Sequence, residues 1–150
     1  MEEEFHNHMR IPWHDYTRKS IGRPITEASL SEKASIIGRT GIMLLSCGTG
    51  AWRVRSSMNT LARELGITCT ADIGLLSIEY TCIDGGNCYT ESLCLFNTGV
   101  NTSKLYRMEL FVNKFSKNCK KMSGDELHTL LDQIHEIHGF YSPPFLGLAA

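Results

Sequence analysis

No stretch of this sequence approaches the ~20 consecutive apolar residues needed to cross a bilayer. The opening residues MEEEFHNHMRIPWHDY carry neither the basic n-region nor the apolar h-region of a secretory leader. The six cysteines include no C-x-x-C pair, so the close knuckles of a structural zinc site are missing. Together these absences predict a cytosolic chain whose thiols are reduced and act as small buried hydrophobes. Charge of either sign is also lacking in excess. A formal net charge of -1 gives no electrostatic case for nucleic acid, whose binders usually carry a basic patch or stripe.

Nucleotide motifs are missing as well. Gly48-Thr49-Gly50 has no Gly-Lys-Ser/Thr ending, so it is not a P-loop; no strand precedes it and no third glycine follows at the spacing of a dinucleotide fingerprint. A tight helix–helix corner is the expectation at Gly48 and Gly50, with glycine taking a conformation that other residues resist. The chain calls for no cofactor and no metal.

What is present describes a folded domain. An apolar fraction of 42% and a charged fraction of 21% over 150 residues suit one domain with a single core. Residues 1–30 mix His, Pro, Gly and charge without periodicity and read as a mobile or peripherally docked arm, with Trp13 as its anchor. From Ser31, the residues Ala34, Ile37, Gly41, Leu44 and Leu45 recur at helical spacing up to Gly48. A second helix follows, with Val54, Met58, Leu61 and Leu65 as its stripe and Gly66 as its stop.

Three β-branched and aromatic runs come next, separated at Gly74 and at Asp84-Gly85-Gly86-Asn87, the second separator being a hairpin turn. Cys69, Ala71 and Ile73 alternate with polar neighbours, as do Ile78, Tyr80 and Cys82, so one sheet face is expected to be buried and the other wet. Asn101 and Thr102 offer caps to a helix with a Leu105, Met108, Val112 and Phe115 stripe; Lys114, Lys117, Lys120 and Lys121 at its end suit the helix dipole. Ser123 and Glu126 fit a capping box before the last amphipathic helix, which carries Leu127, Leu130, Leu131, Ile134 and Ile137. The fold class is α+β: two N-terminal helices, a small, mainly antiparallel sheet of about three strands, and two C-terminal helices.

Candidate chemistry is sparse. Asp72, Glu79, Asp84 and Glu91 could supply acid–base carboxylates, but no pair has diagnostic spacing and no catalytic residue can be assigned. His135 and His138 share a helix face with His128 seven residues before His135, which leaves a proton-linked or metal role open beside the plain reading of helix-end histidines near the dipole. The clearest anomaly is Trp52 with Arg53 and Arg55. At ~100° per residue Trp52, Arg55, Asn59 and Arg63 fall on the side away from the apolar stripe. An outward Trp among arginines has the composition of an interface hot spot, and Trp52, Arg53, Arg55 and Asn59 are the candidate binding or interface residues. The bland alternative folds Trp52 over the helix start onto the core.

The stretch GTGAWRVRSSMNTLARELGITCTADIGL, followed by GVNTSKL and by a late helix running into YSPPFLGLAA, closely resembles the N-terminal domain of the threonine/serine exporter-like family. The resemblance covers Ser31 to Ala150 and rests on the glycine turn with Arg53-Val54, on Ala62-Arg63-Glu64-Leu65-Gly66, and on the passage through Val100 and Asn101. Members of that family tend to carry an acidic residue after the Arg-Val pair, where this chain has Arg55. The resemblance implies an arm over 1–30, the family's N-terminal domain over 31–140, and over 141–150 the start of a truncated transmembrane helix.

It further implies a domain on the cytoplasmic side of the membrane that supports export of small amino acids such as threonine or serine. Its partner would be the membrane-spanning portion of the exporter, a partner membrane subunit or a second copy of the chain. Two other readings stay open: a stand-alone hydrolase-like enzyme using Asp72 or Glu79, and a sensor that binds an amino-acid carboxylate at Arg53 or Arg55.

Overall fold

The computed structural model describes residues 11–137. The expected membrane-helix start over 141–150, His138 and the first ten residues lie outside the described residues. The architecture is α+β as expected: helices α1 (Trp13–Tyr16), α2 (Leu30–Ser46) and α3 (Ala51–Glu64), strands β1 (Thr68–Ile73), β2 (Ser77–Asp84) and β3 (Asn87–Cys94), then helices α4 (Thr102–Asn113), α5 (Phe115–Asn118) and α6 (Gly124–His135). The sheet is an antiparallel meander in the order β1-β2-β3.

Helix α2 begins one residue before the expected Ser31. Ser29 is the cap: its hydroxyl accepts from the Glu32 N–H while the Glu32 carboxylate accepts from the Ser29 N–H, which satisfies two of the orphan donors of the first turn. The expected one-sided stripe is also too narrow. Every residue from Glu32 to Leu45 is buried, because α2 is the axle of the domain, with the sheet, α3, α4, α6 and the N-terminal segment all packed on it. A helix that is covered all round needs small residues where neighbours come close. Gly38 faces the Tyr80 ring and Gly41 faces Met58.

The strand register follows from the alternation. Ile78, Tyr80 and Cys82 point into the core and Thr68, Thr70, Asp72, Ser77 and Glu79 point out. Gly85 takes φ +63° at the first central position of the β2–β3 hairpin, a conformation that costs glycine little. The expectation that the cysteines are buried holds for Cys47, Cys69, Cys82 and Cys119 and fails for Cys88 and Cys94, which are exposed. Six residues apart on one strand, these two share a face, and Leu93 occupies the inward one.

The helix predicted through Phe115 breaks at Lys114 into α4 and α5, with Phe115 wholly buried at the start of the second piece. Asn101 caps α4 by accepting from the Lys104 N–H, and Ser123 and Glu126 close the capping box of α6 as the sequence predicts.

Residues 11–30 are held to this body at several points beyond Trp13. Ile25 is fully buried and its N–H donates to the Met122 carbonyl at 2.9 Å, and the Tyr16 hydroxyl donates to Glu91 Oε2 on β3 at 2.8 Å. The segment therefore bridges β3 and the start of α6.

Candidate functional site

The interface candidates sit at the start of α3. Gly48 has φ +88°, and a side chain there would meet Val100; Gly50 is an extended N-cap at φ -68° with open space where a side chain would stand. Only Gly48 therefore meets the conformational demand expected of the corner. Trp52 is 70% exposed, so its ring does not fold onto the core. Arg53 stands 5.8 Å from that ring and also forms an ion pair with Glu109 of α4 at 2.9 Å. Arg55 donates from Nε to the Ala71 carbonyl at 3.2 Å, which ties α3 to β1. Asn59 is exposed one turn further along.

A second constellation was not assembled from the sequence. Arg39, in the middle of α2, is 5% exposed. Its Nη2 donates to Asp132 Oδ1 at 2.6 Å, and its Nη1 donates to the His128 carbonyl at 3.1 Å and lies 3.2 Å from His128 Nδ1. Trp13 of the N-terminal segment covers the group, its ring stacked on His128 at 5.8 Å and the Arg39 guanidinium 5.8 Å from its centroid.

The hydrogen bonds define the state of His128. The Ser35 hydroxyl donates its one proton to the Glu32 carbonyl at 2.7 Å, so its oxygen accepts from His128 Nε2 at 2.9 Å. Nδ1 is then the acceptor for Arg39, which makes His128 a neutral Nε2–H imidazole. Burial, with the Arg39 charge beside it, pushes its pKa down to about 3.

His14 is the opposite case. Its Nδ1 lies 2.6 Å from Asp125 Oδ1 and its Nε2 lies 2.8 Å from Asp132 Oδ2, so two carboxylates face two ring nitrogens and only the imidazolium can donate to both. Partial burial acts to lower its pKa, and the hydrogen bonds to Asp125 and Asp132 outweigh that and raise it. For Asp132 burial acts upward, and the hydrogen bonds from His14 and Arg39 hold the carboxyl below its usual range.

A cavity of about 480 Å³ opens beside this cluster, bounded by Trp13, His14, Arg39, Asp132 and His135 among others. His135 Nδ1 is buried there without a hydrogen-bond partner among the described residues. Among the described residues the lining includes no Ser, Thr or Cys. No group of three or more potential metal ligands is found among the described residues.

The carboxylates named from the sequence do not converge. Asp72 and Glu79 stand opposite each other on the outer face of the sheet, Asp84 lies at the hairpin, and Glu91 serves the Tyr16 and Tyr80 hydroxyls. The signal for the missed cluster was Arg39 itself, a lone cation inside the apolar run SIIGRTGIMLL. A charge placed there must be paired or hydrogen-bonded, although its partners lie some ninety residues away.

The geometry defines an α+β domain that carries an exposed Trp–Arg corner at one end and a buried, arm-covered polar cluster elsewhere. Residues 35–150 match the sequence model of the ThrE family, described as "Putative threonine/serine exporter", and the chain belongs to that family. No curated protein and no solved structure matches the chain. Membership gives it a threonine/serine exporter-related role. Among the described residues no helix is long and apolar enough to cross a membrane.

Proposed function

We propose that residues 31–140 form the cytosolic N-terminal domain of a threonine/serine exporter-like secondary transporter, and that the domain supports amino-acid export across the cytoplasmic membrane. The observation that carries this reading is the family match over 35–150, which takes in α2 to α6 and the apolar sequence beyond. In this reading translocation belongs to a membrane-spanning portion or a partner membrane subunit, and the domain docks on it through Trp52, Arg53, Arg55 and Asn59. An exposed Trp flanked by cations and held by a rigid corner supports such a role. The test is threonine and serine efflux from cells that carry the complete exporter. Deleting the domain should abolish stimulated efflux, and Trp52→Ala should weaken capture of the membrane portion; unchanged efflux on deletion ends the proposal.

A sensor is the second reading, favoured by the cavity bordered by Trp13, His14 and His135, where His135 Nδ1 has no partner among the described residues; Arg53 and Arg55 are engaged with Glu109 and the Ala71 carbonyl, and Arg39 with Asp132. Saturable threonine or serine binding by the chain, lost in His135→Ala, supports it. Calorimetric silence at millimolar amino acid removes it.

A further inference from the structure

Four segments of this domain meet at one pole: the corner over 48–50, the first turn of α3, the β1–β2 turn over 74–76 and the loop over 96–100. They are fastened there by backbone hydrogen bonds, Gly74 N–H to Ser77 O at 2.8 Å, Leu95 N–H to Leu76 O at 2.7 Å and Gly99 N–H to Ser46 O at 3.3 Å. The pole is unusually apolar. Of the seven large hydrophobic residues exposed among those described, five stand on these segments: Leu75 at 91%, Trp52 at 70%, Val100 at 63%, Phe96 at 49% and Leu76 at 39%. Beside Leu75 lies a cleft of about 370 Å³ whose lining includes Leu45, Ala51 and Ile73 and, among the described residues, none that is charged. Exposed apolar residues gathered on adjoining segments mark a contact site.

Two observations decide what the contact is. The first is where the chain leaves the domain. Asn101 donates from Nδ2 to the Ile137 carbonyl at 3.4 Å, so the last described residue lies beside the loop that carries Val100, and the sequence after it includes the apolar run PPFLGLAA. The second is the form and composition of the surface. Its apolar residues stand on separate turn and loop tips and on a helix start, not on one helix stripe or open strand edge. Arg53, paired with Glu109, and Arg55 follow Trp52, and Lys104 stands in the first turn of α4, directly after the loop that carries Val100. Tips carrying Leu and Phe, with an amphipathic Trp and cations at the rim, suit the headgroup layer of an anionic bilayer better than the flat core of a protein interface.

We infer that this pole is the membrane-facing surface of the domain, with Trp52, Leu75, Phe96 and Val100 entering the headgroup and upper acyl region of an anionic bilayer. The inference rests on the exporter reading for its setting and departs from it at Trp52, which it gives to lipid, leaving Arg53, Arg55 and Asn59 to the docking contact.

The test uses the full chain with vesicles of phosphatidylcholine and phosphatidylglycerol. Flotation measures partitioning, and quenching of tryptophan emission by lipids brominated high on the acyl chain measures depth. Trp13 is buried, so the quenched fraction should vanish in Trp52→Phe. The double variant Leu75→Ser with Phe96→Ser should lower the partition coefficient at least about tenfold with an unchanged thermal unfolding midpoint. Three results overturn the inference: no flotation; flotation without Trp52 quenching and insensitive to the double variant, which assigns binding to the C-terminal residues alone; or shielding of Trp52 by concentration-dependent dimerisation without lipid.

Efflux by the complete exporter separates the two failures. Quenching of Trp52 with efflux indifferent to the domain removes the exporter reading and keeps the surface. Domain-dependent efflux without quenching does the reverse.

Discussion

The Tyr80 hydroxyl occupies the space that a side chain at Gly38 would need. A Cβ built on Gly38 would lie 2.2 Å from that oxygen and 2.5 Å from the ring carbon bearing it, and the same hydroxyl is 2.9 Å from both the Ala34 carbonyl and Glu91 Oε1. Replacing glycine by alanine inside a helix normally favours the helix by about 0.5–1 kcal/mol. Here the ring must move or the helix must shift, at an overpacking cost of about 1–3 kcal/mol. Gly38→Ala is therefore expected to lower the denaturant midpoint, and adding Tyr80→Leu should recover part of the loss. A Gly38→Ala protein at least as stable as the parent would show that the sheet and α2 are not in this contact.

The two histidines of the polar cluster pull the pH dependence of stability in opposite directions. His128 binds a proton in the unfolded chain below about 6.5 and not in the folded one until about pH 3. Between those values its contribution falls as pH falls, by up to about 1.4 kcal/mol per pH unit. His14 has a raised folded pKa, so its contribution is fully present below its unfolded value and fades as pH rises through the folded one. Unfolding curves from pH 4 to 9 should show a shallower acid limb in His128→Gln and a shallower decline above neutrality in His14→Gln.

Asp132→Asn should weaken the fold more than its half-exposed side chain suggests. It leaves the buried Arg39 charge without a counter-ion, since an amide oxygen accepts a hydrogen bond but carries no charge, and it removes one of the two carboxylates that hold His14. Stripping one partner from a wholly buried pair costs about 3–5 kcal/mol, and water access to Asp132 brings the expectation down to about 1–3 kcal/mol. Arg39→Met in the same background should recover stability, since the unpaired charge is then gone. Failure of that rescue would mean that Arg39 is not desolvated.

Thiol accessibility gives a count that needs no variant. Cys88 and Cys94 are expected to alkylate in the folded protein, and Cys47, Cys69, Cys82 and Cys119 only on unfolding. Cys82, which faces Cys69 across β1 and β2, is doubly protected, because the hydrogen bond to Cys69 and burial push its thiol up and away from the reactive thiolate; the same bond acts to lower Cys69, which its burial alone protects. Mass spectrometry after brief treatment with iodoacetamide should find two labels.

Trp52→Ala should leave the unfolding free energy within about 0.5 kcal/mol of the parent, as an exposed side chain away from caps and core would. A larger loss would return Trp52 to the bland reading, in which its ring serves the fold.

The parts legible in the sequence were those governed by near neighbours. The Ser123 and Glu126 capping box, the Gly85 hairpin, the alternation of β1 and β2 and the outward side of α3 each depend on residues within a few positions of one another. The start of α2 was misplaced because Ser29 and Ser31 both suit a cap, and only the position of Glu32, three residues after Ser29, separates them. The all-round burial of α2 could not be read from a periodicity argument, which assumes one wet side. The polar cluster was illegible for a different reason. Its members come from positions 14, 39, 128 and 132, and nothing local to His14 signals that Asp125 and Asp132 will stand against both of its nitrogens.

The bond from Ile25 to Met122 and the clamp of His14 on Asp125 and Asp132 make the first segment of the chain and its last helix a single closing step. During synthesis, then, Tyr16 can reach Glu91 once β3 is out, but the contacts of Ile25 and His14 wait until α6 has left the ribosome, and so do the acceptors of Arg39. A ribosome paused before residue 132 would hold a domain whose sheet can pair but whose charge is still in water, a state that chaperones and proteases can read as unfinished. The domain thus completes itself at the moment when the residues beyond Ile137 begin to appear.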